Sequence, residues 1–178
     1  MRLLTLSVIL FACAALSPAA AGPANAQCAT CEVQAAFEKG DYVKAARLAR
    51  PLADEGNVLA QTMLGGMCEM GDGVRRDYTT AAAWYRKAAE QGFAVAQISL
   101  ADMYEQGRGV SQDYVQAFKW YVLAVLGYGM FPQDTTNAKA NERVHDLAAR
   151  MTPQQIAEGK DLVREWARQW RAKNGRSD

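Results

Sequence analysis

The stretch AQTMLGGMCEMGDGVRRDYTTAAAWYRKAAEQ, residues 60–91, decides the fold because it returns as AQISLADMYEQGRGVSQDYVQAFKWYVLAVLG over residues 96–127. Ala60-Gln61, Leu64, Met67, Gly71, Gly73-Val74, Asp77-Tyr78, Ala81, Trp84-Tyr85 and Ala88 recur as Ala96-Gln97, Leu100, Met103, Gly107, Gly109-Val110, Asp113-Tyr114, Ala117, Trp120-Tyr121 and Ala124, each pair 36 positions apart. A period of this size marks stacked supersecondary units that bury their apolar faces against one another, not a single globular core.

Each copy reads as two antiparallel helices. In the first, helix A runs from about Val58 to Met70, with Leu64, Met67 and Met70 at three-residue steps on one face. Gly71 can adopt the left-handed conformation that ends a helix. After a loop, Asp77 caps helix B, which runs to about Gln91 and stops at Gly92. The second copy repeats this with Gly107, Asp113 and a helix B from Tyr114 to about Leu126. Ala81, Trp84, Tyr85 and Ala88 form the apolar face of helix B, and the Trp-Tyr pair reads as core filling the gap between hairpins. The small residues Gly65 and Ala101 mark where two helices approach closely.

Working outward, Asp41-Tyr42, Ala45 and Gly56 stand one period before Asp77-Tyr78, Ala81 and Gly92, so a degenerate copy precedes the two good ones and reads as an N-terminal cap. After Leu126 the period fails. Asp134 can cap a helix running to about Arg150, and Thr152-Pro153-Gln154-Gln155 starts another with an N-cap, a first-turn proline and a capping box. Ile156, Val163, Trp166, Ala167 and Trp170 form its apolar stripe. The sequence therefore predicts an all-α, right-handed α-α superhelical solenoid of about eight helices in antiparallel pairs. Its segments are a leader (1–26), an N-terminal segment with two cysteines and the degenerate repeat (27–56), repeats at 57–92 and 93–128, a C-terminal capping helix pair (129–172) and a short flexible tail (173–178).

The leader has Arg2, an apolar run from Leu3 to Leu16, and Ala24-Asn25-Ala26 as a small-x-small processing site before Gln27. The run is too short to span a bilayer and is broken at Ser17-Pro18. Periplasmic or secreted localisation is expected, with lipoprotein processing at Cys13 as the alternative. The whole chain carries a formal charge of +1, and removal of Arg2 with the leader leaves basic and acidic residues equal, which argues against a nucleic-acid partner. Basic residues do gather at the end, from Lys160 through Arg164, Arg168, Arg171 and Lys173 to Arg176. They read as a solvated helix face, with contact to an anionic surface as the rival reading.

The block Ala-Gln-x-x-Leu-Gly/Ala-x-Met-Tyr/Cys-x-x-Gly-x-Gly-Val-x-x-Asp-Tyr-x-x-Ala-x-x-Trp-Tyr resembles the Sel-one-like repeat family, a branch of the tetratricopeptide-like superhelices. The likeness covers Phe37 to about Tyr128, and Met151 to Glu158 looks like the tail that follows such repeats in bacterial members. The resemblance implies a non-catalytic interaction scaffold or adaptor, monomeric by default, with no cofactor and no shared catalytic residue. It implies a protein partner held on the concave face lined by helices A. The candidates there are Asn57, Gln61, Met63, Gln97, Ser99 and Asp102, read as exposed, mostly polar and nearly uncharged. Some cysteine-rich members bind or hydrolyse β-lactams, so an envelope-acting enzyme is the alternative function. Those members carry a disulfide in each repeat, which this chain lacks.

Three cysteines follow the leader: Cys28, Cys31 and Cys68. Cys28-Ala29-Thr30-Cys31 has no preceding strand, unlike the redox CxxC of a βαβ fold, so a structural disulfide is the preferred reading over a redox partner. Aligning helix ends at Gly40 and Gly71 sets Cys68 level with Phe37, six residues from Cys31, or about 9 Å of helical rise. That is beyond disulfide reach, so Cys28–Cys31 is the expected bond and Cys68 an expected buried free thiol. The single histidine, His145, lacks companions at ligand spacing for a metal. The carboxylate pairs Asp102 with Glu105 and Glu69 with Asp72 read as solvated charge near helix ends, not as a catalytic dyad.

Overall fold

The computed structural model describes residues 24–127 and 134–175, with side chains from 30 to 127 and from 138 to 175. The described residues form eight α-helices and no strand. They are α1 Ala24–Glu38, α2 Tyr42–Asp54, α3 Val58–Met70, α4 Tyr78–Glu90, α5 Ala94–Gln106, α6 Tyr114–Leu126, α7 Asp134–Ala148 and α8 Pro153–Asn174. None is long and apolar enough to cross a membrane. The expected leader lies mostly outside the described residues, as do Cys13, residues 128–133 and the last three positions.

The described residues divide into two compact units, the first ending at Gln91 and the second beginning at Gly92. In the first, α1 packs on α2, α2 on α3 and α3 on α4. The helix ends follow from their sequence signals. Asp41 accepts the Lys44 backbone N–H at 3.1 Å and caps α2. Asn57 accepts that of Ala60 at 3.0 Å and caps α3. Asp77 accepts those of Thr79 and Thr80 at 2.9 and 3.2 Å and caps α4. Gly71, with φ 82°, ends α3. Gly73 has a second reason to be glycine, since a β-carbon there would stand 2.2 Å from the Tyr42 carbonyl carbon. The core is rich in alanine, so helices lie close and a few large side chains fill the rest. Leu64, Met67, Trp84 and Tyr85 are all at most 5% exposed. Gly65 lets the Tyr85 ring lie directly on the α3 backbone.

In the second unit, α5 pairs with α6, and α6 also receives both α7 and α8. Asp113 accepts from the Gln116 N–H at 3.0 Å and Gly107 ends α5 with φ 67°, one period from Asp77 and Gly71. The loops grip helix A in the same register. The Asp77 N–H donates to the Cys68 carbonyl and the Asp113 N–H to the Tyr104 carbonyl, both at 2.9 Å. Beyond the repeat, α7 and α8 lie chiefly on α6, not on each other as in an A–B hairpin. Gly159 of α8 sits on Phe118, where a β-carbon would come within 2.7 Å of the ring. Trp166 meets Trp120 edge to face with centroids 6.4 Å apart. Thr152 and Gln155 form the complete capping box and Pro153 opens the helix, as the sequence predicts.

Candidate functional site

The six residues expected on an exposed helix-A face separate into two groups. Gln61, Met63 and Gln97 are 3%, 6% and 1% exposed, so their reading as surface is corrected. Gln61 is buried because its amide has internal partners on both sides. Its Nε2 donates to the Ala53 carbonyl at 3.0 Å, and its Oε1 accepts from Gln91 Nε2 at 2.9 Å. Gln91 Nε2 also reaches the Gly56 carbonyl at 3.2 Å, so this network ties the α2–α3 turn to the end of α4. Met63 belongs to the apolar interior. Asn57, Ser99 and Asp102 keep partial solvent access. Asn57 spends its side-chain oxygen on the α3 cap. Ser99 and Asp102 are three residues apart on α5 and share one face.

Asp102 belongs to a charged cluster. The Tyr121 hydroxyl, from α6, lies between two α5 carboxylates. It donates to Asp102 Oδ1 in a short hydrogen bond and lies 3.0 Å from Glu105 Oε2. One phenolic proton serves one carboxylate at a time. Two guanidinium groups supply the remaining compensation. Arg143 of α7 lies 3.7 Å from Asp102, and Arg150 lies 2.5 Å from Glu105. Arg150 also donates to the Tyr114 hydroxyl at 2.6 Å. Burial, followed by the Asp102 charge, pushes the Tyr121 phenol far above its ordinary range, so it remains a donor. The cluster has two carboxylates against two guanidinium groups and fastens the segment around α7 to the second repeat.

The first repeat has a reduced version of this arrangement. Tyr85 donates to Glu69 Oε2 at 3.0 Å, but the position one period before Asp102 is Gly66. Glu69 and Glu105 are therefore tyrosine acceptors, which corrects their reading as loose solvated charge. The recurrence of both Glu and Tyr at the 36-residue period was the available signal.

The remaining candidates are dispersed. Cys31 is exposed on α1, and the Cys28 side chain lies outside the described residues, so the expected Cys28–Cys31 bond is not placed. Cys68 is buried on α3, and burial pushes its thiol above the usual range. His145 is exposed near the end of α7. Among the described residues, no group of three or more His, Cys, Asp or Glu side chains is arranged to hold a metal ion.

Period, caps and buried Trp-Tyr pairs define an all-α helical-repeat protein. Residues 58–93 and 94–128 each match the Sel1 repeat, so the chain carries two Sel1 repeats. A solved structure of c5321, a protective antigen present in uropathogenic Escherichia coli strains and displaying an SLR fold, superposes with a TM-score of 0.72 at 28% identity. That match covers 86% of this chain and 33% of the other. A Sel1 repeat protein from Oxalobacter formigenes gives a TM-score of 0.60 at 27% identity, over 77% of this chain and 55% of that one. The chain thus spans about a third and just over half of these relatives' lengths. No protein of curated function matches it in sequence. Proteins built from Sel1 repeats are generally protein–protein interaction scaffolds, and the fold is typically non-catalytic.

Proposed function

We propose that this chain is a non-catalytic adaptor of the bacterial cell envelope that holds a partner peptide or helix on a helix-A face. The observation that carries the reading is how the repeat uses its side chains. Trp84-Tyr85, Trp120-Tyr121, Met67, Met103, Gln61 and Gln97 of the motif are buried in the interior, while Ser99 and Asp102 of α5 keep partial solvent access. A half-polar helical surface on a rigid framework suits hydrogen bonding to a peptide or helix. Asn57 offers a smaller contact on α3, limited to its amide nitrogen because its oxygen caps the helix.

Export is part of the proposal. Arg2, the Leu3–Leu16 run and Ala24-Asn25-Ala26 support cleavage before Gln27 and a periplasmic or secreted product. The similarity to an E. coli protective antigen supports a place outside the cytoplasm. Sequencing the N-terminus of the protein recovered from the envelope fraction tests this; a chain that keeps Met1 and stays in the cytoplasm refutes it.

The binding reading is tested by crosslinking the tagged protein in its producing cell and identifying what it captures. A Ser99→Arg variant, which adds bulk and charge to the α5 face, is expected to keep its melting temperature and lose the stoichiometric partner. Retention of that partner by a folded Ser99→Arg protein overturns the assignment of the face.

A further inference from the structure

The C-terminal helix carries a charge pattern that neither the repeat fold nor the scaffold reading uses. Lys160, Arg164, Arg168 and Arg171 follow one another at steps of four, four and three residues along α8. Such positions share one face of a helix. They form a row about 17 Å long with charges about 6 Å apart. The first three are exposed and Arg171 is partly exposed. The helix is anchored from another side, since Gly159, Val163 and Ala167 are its buried positions. The acidic residues of α8 sit beside the row rather than in it. Asp161 pairs with Arg164 and Glu165 with Arg168, each from three residues before. Elsewhere on the described part of this unit, basic and acidic residues are nearly balanced, so its basic excess lies on α8.

We infer that this row docks the protein on an anionic phospholipid surface. A shaped protein partner seats against a pocket or an apolar ridge, and a line of separate charges is neither. A fluid array of headgroups needs neither, because lipids can move under each charge. No described helix is long and apolar enough to span a bilayer, and the contact inferred from the row is with headgroups at the surface. Each basic side chain near such a surface contributes about fivefold to partitioning, and the effect decays over a Debye length. The two internal ion pairs reduce the total, leaving a weak, salt-sensitive attachment that would hold an envelope adaptor near the membrane.

The test is co-sedimentation of the protein, purified from its producing cell, with vesicles of phosphatidylglycerol and phosphatidylcholine or of phosphatidylcholine alone. The comparison is with K160Q/R164Q/R168Q/R171Q, a variant altered only along the row. Both proteins share the same N-terminus, so leader processing cancels in the comparison. Wild type is expected to bind the anionic vesicles, to bind the neutral ones at least about tenfold less, and to be released by raising salt from low to several hundred millimolar. The quadruple variant is expected to keep its helical circular dichroism and lose at least about tenfold in binding. Failure of wild type to sediment with anionic vesicles, equal binding to neutral vesicles, or undiminished binding by the folded variant overturns the inference. A variant that does not fold is replaced by K160Q/R171Q, which leaves both internal ion pairs intact and is held to the same outcomes with a loss of about tenfold.

Discussion

Gly65→Ala probes the packing that fixes the repeat. A β-carbon at this position would stand 2.7 Å from both Cδ1 and Cε1 of Tyr85 and 3.1 Å from Cγ. Comfortable carbon contacts lie near 3.5–4.0 Å, so the methyl is roughly 1 Å too close. The ring is 4% exposed, and its hydroxyl is held by Glu69 at 3.0 Å, so it has little room to retreat without losing that bond. Overpacking of this kind costs about 1–3 kcal/mol, and a hydrogen bond to a charged group adds about 1.5–3 kcal/mol if it breaks. Alanine in a helix interior returns about 1 kcal/mol relative to glycine. The net expectation is a loss of about 2 kcal/mol, or roughly 4–8 °C in melting temperature for a chain of this size. The corresponding site in the second repeat is Ala101, which is fully buried. Ala101→Gly should therefore also destabilise, by about 1 kcal/mol, through lost helix propensity and packing. Thermal melts followed by circular dichroism measure both. A Gly65→Ala protein with an unchanged or raised melting temperature would refute the claim that Tyr85 is wedged against the α3 backbone.

Three further outcomes follow from the same geometry. Gln61→Ala should lower stability by about 1–2 kcal/mol, because it removes hydrogen bonds to the Ala53 carbonyl and from Gln91; chemical denaturation measures it, and an unchanged midpoint contradicts the structural role. Asp77 is held below the usual carboxylate range, chiefly by the Thr80 hydroxyl and backbone N–H. Its ionised form is the one favoured by folding, so its stabilising contribution is present above about pH 4 and fades as pH falls through the lowered value. Asp77→Ala should accordingly reduce stability at neutral pH and flatten the acid limb of the stability profile, and an unaltered acid limb would refute it. In a Cys28→Ser/Cys31→Ser background, Cys68 should react slowly with a thiol reagent at neutral pH and rapidly once unfolded, because burial disfavours its thiolate; rapid reaction of the native protein would place it at the surface.

The helical skeleton was legible in the sequence because its signals are local. Val58–Met70 and Tyr114–Leu126 have the expected bounds, and Gly71, Asp77, Asp113 and Thr152 perform the expected capping roles. The recurrence of Trp84-Tyr85 as Trp120-Tyr121 likewise identified core residues. The candidate surface was less legible. Gln61 and Gln97 look like surface residues on their own helices, and what buries Gln61 is a carbonyl on α2 and an amide just past α4. Their recurrence at one period was evidence of a structural role, since a partner contact has no reason to repeat with the core. The Asp102–Tyr121–Arg143 cluster was hidden for a related reason. It joins α5, α6 and α7, and α7 lies beyond the point where the repeat period fails. The C-terminal pair was readable as two helices from their caps, but the docking of α8 on α6 depends on Phe118 and Trp120 meeting Gly159 and Trp166.

The most direct test of the interaction reading places a photo-activatable amino acid at Ser99 on the α5 face and, separately, at the exposed Ala83 of α4. Each protein is expressed at native level in the producing cell and irradiated. One discrete crosslinked envelope partner is expected from position 99 and none from position 83. Equal crosslinking from both positions, or none from position 99 while the protein remains folded, would contradict a partner held on the helix-A face.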